Sequence, residues 1–206
     1  ACAPYRRLNL CNKNMENMDT NNNDGKAKHN LLVDVCMAAN YEAQSLIRDH
    51  PKYQEKYGDS QICTVLARSF ADIGDIVRGR DLYSGNSKEK KQRKQLDDKL
   101  KEIFAKIHED VTSTSGKNVA LKTRYEGDEA NNFFKLREDW WTANRSTVWK
   151  AMTCEAYGTY FHATCGESRS PSMAKNNCRC DGKDAHQVPT YFDYVPQYLR
   201  WFEEWA

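Results

Sequence analysis

The sequence predicts an all-α fold, a disulfide-stapled helical bundle of about five helices with long irregular loops. Apolar residues recur three and four positions apart in several long segments, and this spacing is typical of helices that bury one face. The eight cysteines form an even set, which favours a chain held by disulfide bonds. They are Cys2, Cys11, Cys36, Cys63, Cys154, Cys165, Cys178 and Cys180. At 206 residues, the chain is long enough to bury a core.

The composition limits the class of function. With 31 basic and 29 acidic side chains the net charge is +2, which by itself neither favours nor excludes nucleic acid. Disulfides indicate an oxidising compartment, and together with the charge they argue against a nucleic-acid partner. The alternative is that cysteines such as Cys36 are small buried groups of a cytosolic protein. No run of about 18 apolar residues is present, so we expect no membrane span.

The first half of the chain contains two predicted helices. One runs from His29 to about His50, and we expect Pro51 to end it, because the residue before a proline is pushed out of the α region. The next begins after Ser60, a candidate cap, and ends at Gly79. Its apolar residues follow a 3,4,3,4 spacing that predicts a seam against another helix, with Gly74 allowing close approach. These seam residues are Cys63, Leu66, Phe70, Ile73 and Val77.

Two further amphipathic helices follow. The first buries Leu96, Leu100, Ile103, Phe104, Ile107 and Val111. Residues 112–127 are predicted to be a loop, after which Asp128 caps a long helix. That helix carries a stripe too wide for a single neighbour, so we place it at the centre of the bundle. The stripe consists of Phe133, Leu136, Trp140, Trp141, Val148, Trp149 and Met152.

The last part of the chain combines a cysteine-rich loop with an aromatic helix. Helical periodicity stops between Cys154 and Val188. Cys178 and Cys180 should reach different partners, because two cysteines separated by one residue cannot easily bond to each other. Pro196 suits a first helical position. One face of the following helix is predicted to join the core and the other to carry Arg200, Glu203 and Glu204. The core face is Tyr198, Trp201, Phe202 and Trp205. The chain then stops without a cap, so we expect a fragment of a longer protein.

No constellation in the sequence favours catalysis. Asp72 and Asp75 lie three residues apart and could suggest an acid/base pair or a metal, but such carboxylates are more often solvated or salt-bridged. Zinc on the last four cysteines is the sharpest alternative, although their spacing lacks the paired C-x₂₋₄-C knuckles. His162 and His186 lack the surroundings of a partner for a cysteine nucleophile. We therefore predict no enzyme activity, no metal and no cofactor.

A basic segment is the one feature typical of a binding surface. Cations cluster at the start of the Leu96 helix, where sulfated glycans such as heparan sulfate could dock. Arg6 and Arg7 could form a second, small anion site, and the alternative for these two is that they are solvated or ion-paired. The alternative is a solubilising face, since Glu89, Asp97 and Asp98 dilute the charge. The predicted glycan-binding residues are Arg6, Arg7, Lys88, Lys90, Lys91, Arg93 and Lys94.

Four motifs carry a resemblance to a known family. CAPYRRLNLC, LARSFADIGDIVRGRDLY, REDWWTANRSTVWKAMTC and VPQYLRWFEEW occur in this order through nearly all of the chain. Together they resemble the Duffy-binding-like domains of the Plasmodium falciparum erythrocyte membrane protein 1 family. The sequence around ADIGDIVRG and PQYLRWFEEW is most similar to the alpha class of these domains. The resemblance implies an all-α, disulfide-stapled adhesion module in the extracellular part of a membrane protein on the infected erythrocyte.

The resemblance also implies an internal organisation. Residues 1–60 would belong to a first subdomain and residues 61–206 to a second, with the third, cysteine-rich subdomain missing. Cys63 would pair with Cys154, and Cys2 or Cys11 would pair with each other or lack native partners. The core scaffold would be Phe70, Ile73, Trp140, Trp141, Trp149, Tyr198, Trp201, Phe202 and Trp205. Variable stretches at about 12–28, 84–95, 112–130 and 166–187 would set binding and antigenicity.

The implied function is non-enzymatic host-cell adhesion. It includes virulence, cytoadherence and antigenic variation, while four cysteines between ADIGDIV and PQYLRW resemble a subclass less often linked to rosetting. Expected partners are host cell-surface receptors or glycans, antibodies and neighbouring domains of the same adhesin. The alternative is a scaffold and immune-decoy segment that positions variable loops and other domains without tight binding of its own.

Overall fold

The computed structural model describes residues 2–21, 25–56, 61–113, 119–158, 163–166, 170–174, 177–182, 185 and 187–206. In chain order the helices are α1 (Tyr5–Leu8), α2 (Lys13–Glu16), α3 (Ala27–Lys56), α4 (Ile62–Arg78), α5 (Ser87–Ser113), α6 (Val119–Arg124), α7 (Phe134–Met152) and α8 (Gln197–Trp205). Two short antiparallel strands, β1 (Ala163–Cys165) and β2 (Ser172–Met173), form a hairpin. The predicted all-α fold is confirmed. Among the described residues, no helix is long and apolar enough to cross a membrane.

The centre of the bundle is the contact of α7 with α3 and α4. Phe70 of α4 packs against Trp141 and Trp149 of α7, with both ring-centre distances at 5.1 Å. Gly74 allows this approach, because a Cβ built there would lie 2.7 Å from the Trp141 ring. On the outer side of α7, Phe104 of α5 meets Trp140 edge-on at 6.2 Å. The predicted seam of α4 and central position of α7 are thus observed.

Helix α3 continues through a proline that was expected to end it. Pro51 lies inside the helix, which runs on to Lys56. Proline removes one backbone donor, but the helix on either side keeps its own hydrogen bonds. The position is also exposed, so the carbonyl that loses its partner can be hydrated. The prediction that α3 ends at His50 is therefore wrong, and Ser60, the candidate cap of the next helix, lies outside the described residues.

The segment before α7 is more ordered than a simple loop. Residues Val119–Arg124 form α6, where the sequence suggested irregular structure. Asp128 then caps α7 as predicted, although from a distance. Its two carboxylate oxygens accept the backbone N–H groups of Lys135 and Leu136, both at 2.9 Å. The intervening 3₁₀ turn, Glu129–Asn131, brings this carboxylate back to the helix start.

The disulfides differ in part from the implied pairing. Cys63 bonds to Cys178, and Cys165 bonds to Cys180. Cys178 and Cys180 therefore reach different partners, as predicted, but the pairing of Cys63 with Cys154 is wrong. The reason is geometric, because the loop after α7 returns Cys178 to the buried start of α4, while Cys154 stays exposed beside α3. Four thiols are free in the structure, those of Cys2, Cys11, Cys36 and Cys154.

Helix α8 buries a face other than the predicted one. It begins at Gln197, one residue after Pro196, and Trp201 is buried. Arg200 is also buried, at 2% exposure, although the residue spacing predicts a place on the solvent face. Three aromatic rings of the predicted core face are instead 52%, 69% and 54% exposed, in the order Tyr198, Phe202 and Trp205. Polar contacts, described below, turn the helix so that its arginine faces inward.

The predicted subdomain boundary at residue 60 stays a prediction. Residues 57–60 lie outside the described ranges. The hydrophobic core draws side chains from both predicted parts, including Leu31 and Val35 on one side and Leu66 and Phe70 on the other. Any division of the chain at this point would therefore cross a shared core.

We expect Gly74→Val to destabilise the fold, because its side chain would enter the space of the Trp141 ring. Overpacking of this kind costs about 1–3 kcal/mol. Urea denaturation monitored by circular dichroism measures the free energy of unfolding. The matched test repeats Gly74→Val in a Trp141→Phe background, where the smaller ring should reduce the loss. An equal loss in both backgrounds would contradict the contact.

Candidate functional site

The two arginines at the start of the chain are engaged inside the protein. Arg6 donates from Nη1 to Asp72 at 2.7 Å and from Nη2 to Glu204 at 2.8 Å, and its side chain is 8% exposed. Arg7 donates from Nη2 to Asp81 at 2.5 Å and is similarly buried. The ion-paired alternative is therefore observed, because both guanidinium groups already face carboxylates. We therefore exclude Arg6 and Arg7 from the candidate glycan site.

Asp81, just after α4, is the centre of a second polar cluster. Arg7 and Arg93 both approach its Oδ2 atom, at 2.5 and 2.8 Å. Gln197 donates to Oδ1 at 2.8 Å. Both guanidinium carbons also lie over the Tyr83 ring, at 4.6 Å for Arg7 and 5.5 Å for Arg93. Arg93 thus holds the start of α5 against the end of α4, and its predicted glycan role is secondary to this contact.

The four lysines of the predicted site lie on the exposed first turns of α5, and we call them the α5 lysines. They are Lys88, Lys90, Lys91 and Lys94. Asn86 fixes the helix start, since its Oδ1 accepts the backbone N–H groups of Lys88 and Glu89 at 2.9 and 3.1 Å. Glu89 in turn accepts the Asn86 N–H at 2.7 Å, which completes a capping box. Within the described part of the chain, Lys94 alone of the four makes an ion pair, with Asp98.

A cleft of about 460 Å³ opens beside the α5 lysines. Its lining includes Lys13 of α2 together with Lys90 and Lys94 of α5. Two of its carboxylates are already engaged, Asp81 by arginines and Glu89 by the capping box. No sequence pattern indicates Lys13, because its place opposite α5 depends on how a four-residue helix packs. The lining also includes Glu16 and Asp97, the second of which pairs with Lys101 and Arg137. The rim of this cleft thus carries three ammonium groups next to carboxylates that are mostly engaged.

Asp72 and Asp75 lie one turn apart on α4, and both are buried. Asp72 contacts Arg6 at 2.7 Å and Arg200 at 2.8 Å. Asp75 contacts Arg78 at 2.8 Å and Arg200 at 2.5 Å. We call these five residues the Asp72 network. The expectation of salt-bridged carboxylates is confirmed, although they lie in the interior and not at a solvated edge.

The two carboxyl groups of the network have different protonation behaviour. Burial raises the pKa of Asp75 to about 6, although the charges of Arg200 and Arg78 oppose the shift. Burial also acts to raise the pKa of Asp72, but the charges of Arg6 and Arg200 outweigh it. The pKa of Asp72 is consequently lowered.

The interactions of Asp193 tie the segment before α8 to the centre of the bundle. Its carboxylate accepts the Trp141 indole N–H at 2.8 Å and two hydrogen bonds from Arg145, both at 2.7 Å. Its backbone carbonyl accepts a hydrogen bond from Arg78. The residue therefore fixes the 3₁₀ turn Phe192–Tyr194 between α4 and α7. This placement delivers Arg200 to the two buried carboxylates.

Most residues of the catalytic and metal alternatives are either disulfide-bonded or outside the described residues. Within those ranges, no group of three His, Cys, Asp or Glu side chains could hold a metal ion. Three of the four cysteines considered for zinc, Cys165, Cys178 and Cys180, are disulfide-bonded. His162 and His186, the candidate partners of a cysteine nucleophile, lie outside the described residues.

These features define a disulfide-bonded helical domain with a buried ion network and a lysine-rimmed surface cleft. The chain belongs to the Duffy binding domain family, whose model matches residues 1–200. The family predicted from the four motifs is thereby confirmed. No curated protein matches the chain significantly.

Solved structures of the same family cover all or nearly all of the chain. The NTS-DBL1(alpha-1) domain of Plasmodium falciparum membrane protein 1 (PfEMP1) from the varO strain is 42% identical, with a TM-score of 0.72, over 100% of this chain and 43% of that one. The varO NTS-DBL1-alpha and CIDR-gamma double domain is 40% identical, with a TM-score of 0.73, over 100% and 27%. The ICAM-1-binding DBLbeta domain of a PfEMP1 protein is 34% identical, with a TM-score of 0.67, over 97% and 41%. The chain thus spans less than half the length of these structures.

We expect Arg200→Ala to lower the free energy of unfolding by about 3–5 kcal/mol, because it leaves two buried carboxylates without their shared cation. Urea denaturation measures the loss. Arg48→Ala is the matched control, since Arg48 pairs with Asp49 on the surface at 73% exposure, and its midpoint should not change. A similar shift for both variants would show that burial of the network contributes little.

The raised pKa of Asp75 should make stability depend on pH. The folded protein binds this proton more tightly than the unfolded chain, so the contribution is fully present below about pH 3.8 and is lost as the pH rises to about 6. We expect the free energy of unfolding of Asp75→Asn to lack this decrease. Urea titrations at a series of pH values compare the two proteins. An identical pH dependence in both would overturn the assignment.

Proposed function

We propose that this chain is a non-enzymatic adhesion domain in the extracellular part of a PfEMP1-type protein on the infected erythrocyte. Membership of the Duffy binding domain family supports this role. A DBLbeta relative binds ICAM-1, which supports receptor recognition by this fold. The double-domain relative supports a neighbouring domain of the same polypeptide as a further partner. Host receptors or glycans and antibodies are the proposed external partners, with cytoadherence and antigenic variation as the biological roles.

For this chain, the ligand class that its surface favours is an acidic, sulfated glycan. The observation that carries this proposal is the contrast between paired arginines and exposed lysines. Arg7 and Arg93 neutralise Asp81 inside the domain, whereas the α5 lysines are exposed along one helix. Lys13 extends the same positive rim across the cleft. Several ammonium groups around one cleft raise the local concentration of a polyanion and steer its approach.

The α5 lysines also lie within the predicted variable stretch at 84–95. A variable helix start on a fixed backbone frame would let the binding surface change without unfolding the domain. The capping box at Asn86 and the Arg93–Asp81 ion pair fix the backbone, so exchange of the exposed lysines leaves the frame intact. Antibodies and glycans would then compete for the same surface.

Neutralising the α5 lysines should weaken binding to immobilised heparin. We expect the variant with Lys88, Lys90, Lys91 and Lys94 all changed to Gln to elute at lower salt. The slope of its log Kd against log salt concentration should be smaller by roughly three to four, because fewer counterions are released on binding. Arg93 is kept, because its exchange would break the ion pair with Asp81.

The control has the same charge change on other surfaces. It carries Gln at four exposed lysines outside the cleft, Lys28, Lys52, Lys122 and Lys135, and should elute close to the wild type. Equal losses of heparin retention in both variants would show that net charge alone, and not the α5 lysines, determines binding. Blank heparin and erythrocyte assays beside tight antibody binding would instead favour the scaffold and immune-decoy role.

A further inference from the structure

A groove between α3 and α7 contains two free thiols. Its volume is about 510 Å³, and Cys36 of α3 and Cys154, in the turn after α7, both line it. Most of its other lining side chains are apolar, namely Leu32, Val33, Met37, Tyr41 and Ala151. Neither thiol takes part in the two observed disulfides. We call this feature the thiol groove.

Asn40 connects the positions of the two sulfurs. Its Nδ2 lies 3.3 Å from Cys154 Sγ and 3.5 Å from the Ala151 carbonyl oxygen. Asn40 follows Cys36 by four residues on α3, so both project from the same face, about 5–6 Å apart along the helix. The Cys36 side chain is therefore one helical turn from a residue that touches the Cys154 sulfur.

We propose that Cys36 and Cys154 form a third disulfide, which joins α3 to the end of α7. The oxidant is a small disulfide such as oxidised glutathione. The thiolate of Cys154 attacks one of its sulfurs, breaks the S–S bond and releases one glutathione thiolate. Cys36, after losing its proton, then attacks the Cys154 sulfur and releases the second. The two cysteines are oxidised by two electrons in total, the small disulfide is reduced to two thiols, and the protons pass to the released thiolates.

The accessibility of the two thiols sets the order of these steps. Cys154 is exposed, so the small disulfide can reach it directly. Cys36 is half-buried, and burial raises the pKa of its thiol, which makes it the slower first nucleophile. Cys154 lies in the turn that follows Met152, and its sulfur already faces α3 through the contact with Asn40.

The other free cysteines lie elsewhere. The Cys2 carbonyl accepts a hydrogen bond from Trp205 of α8, and the Cys11 N–H donates to Glu42. Neither cysteine lines the thiol groove. Cys63, the partner that the family resemblance implied for Cys154, is already bonded to Cys178. Within the described part of the chain, no disulfide reaches α3, although its contact with α7 is the most extensive between two helices.

Peptide mapping of the 206-residue chain, refolded in a mixture of reduced and oxidised glutathione, tests the proposal. After thiol alkylation and proteolysis without reductant, we expect one fragment that links the peptides of Cys36 and Cys154. We also expect Cys36→Ser and Cys154→Ser each to lower Tm by roughly 10 °C, because either one opens a loop of more than 100 residues. The double variant should be no less stable than either single variant.

Cys2→Ser and Cys11→Ser are the controls, and they should leave both the linked fragment and Tm unchanged. The proposal is overturned if Cys36 and Cys154 are both alkylated while the Cys63–Cys178 and Cys165–Cys180 fragments are intact. It is also overturned if either thiol is found bonded to Cys2 or Cys11. Tm losses of the two single variants that add in the double variant would likewise show that the residues act independently.

Discussion

Two carboxylates buried one turn apart on α4 impose the main constraint on this fold. An uncompensated buried charge costs several kcal/mol, so Asp72 and Asp75 require cations at short range. The chain supplies them from three places, with Arg6 near its beginning, Arg78 on the same helix and Arg200 near its end. Segments almost 200 residues apart are thereby brought to one helix. The apolar side chains fill the interior of the bundle, and the buried ion pairs determine which helix ends lie next to each other.

The same constraint extends to the candidate glycan cleft. Gln197 donates to both Asp72 and Asp81, and so connects the buried network to the cluster beneath the cleft. Asp81 in turn holds Arg7 and Arg93, which anchors the start of α5. The positive rim is therefore a consequence of interior pairing. In this region the planar guanidinium groups of Arg7 and Arg93 hold the Asp81 carboxylate, while the α5 lysines are exposed on the surface.

Periodicity predicts the helices of this chain well and their polar contacts poorly. The seam of α4, the place of Gly74 and the wide stripe of α7 follow from apolar spacing, because rings and aliphatic side chains bury wherever they align. Spacing wrongly assigns Arg200 to the solvent face, because local spacing carries no information about its carboxylate partners, which lie about 125 residues earlier. The burial of Arg6 and Arg7 and the partner of Cys63 escaped prediction because they depend on which distant segments meet. The family motifs identified the fold, but they placed Cys63 with the wrong cysteine.

The way α8 is attached also bears on how its sequence can evolve. Three of its nine residues, Gln197, Arg200 and Trp201, are buried and hold it in place. The rings of Tyr198, Phe202 and Trp205 are more than half exposed. Mutations at the first set should be eliminated by selection for folding, whereas those at Tyr198 and Phe202 leave these anchoring contacts in place. Trp205 differs from these two rings, because its indole N–H donates to the Cys2 carbonyl oxygen. One short helix therefore combines three residues that the fold requires with two exposed rings, Tyr198 and Phe202, that it does not.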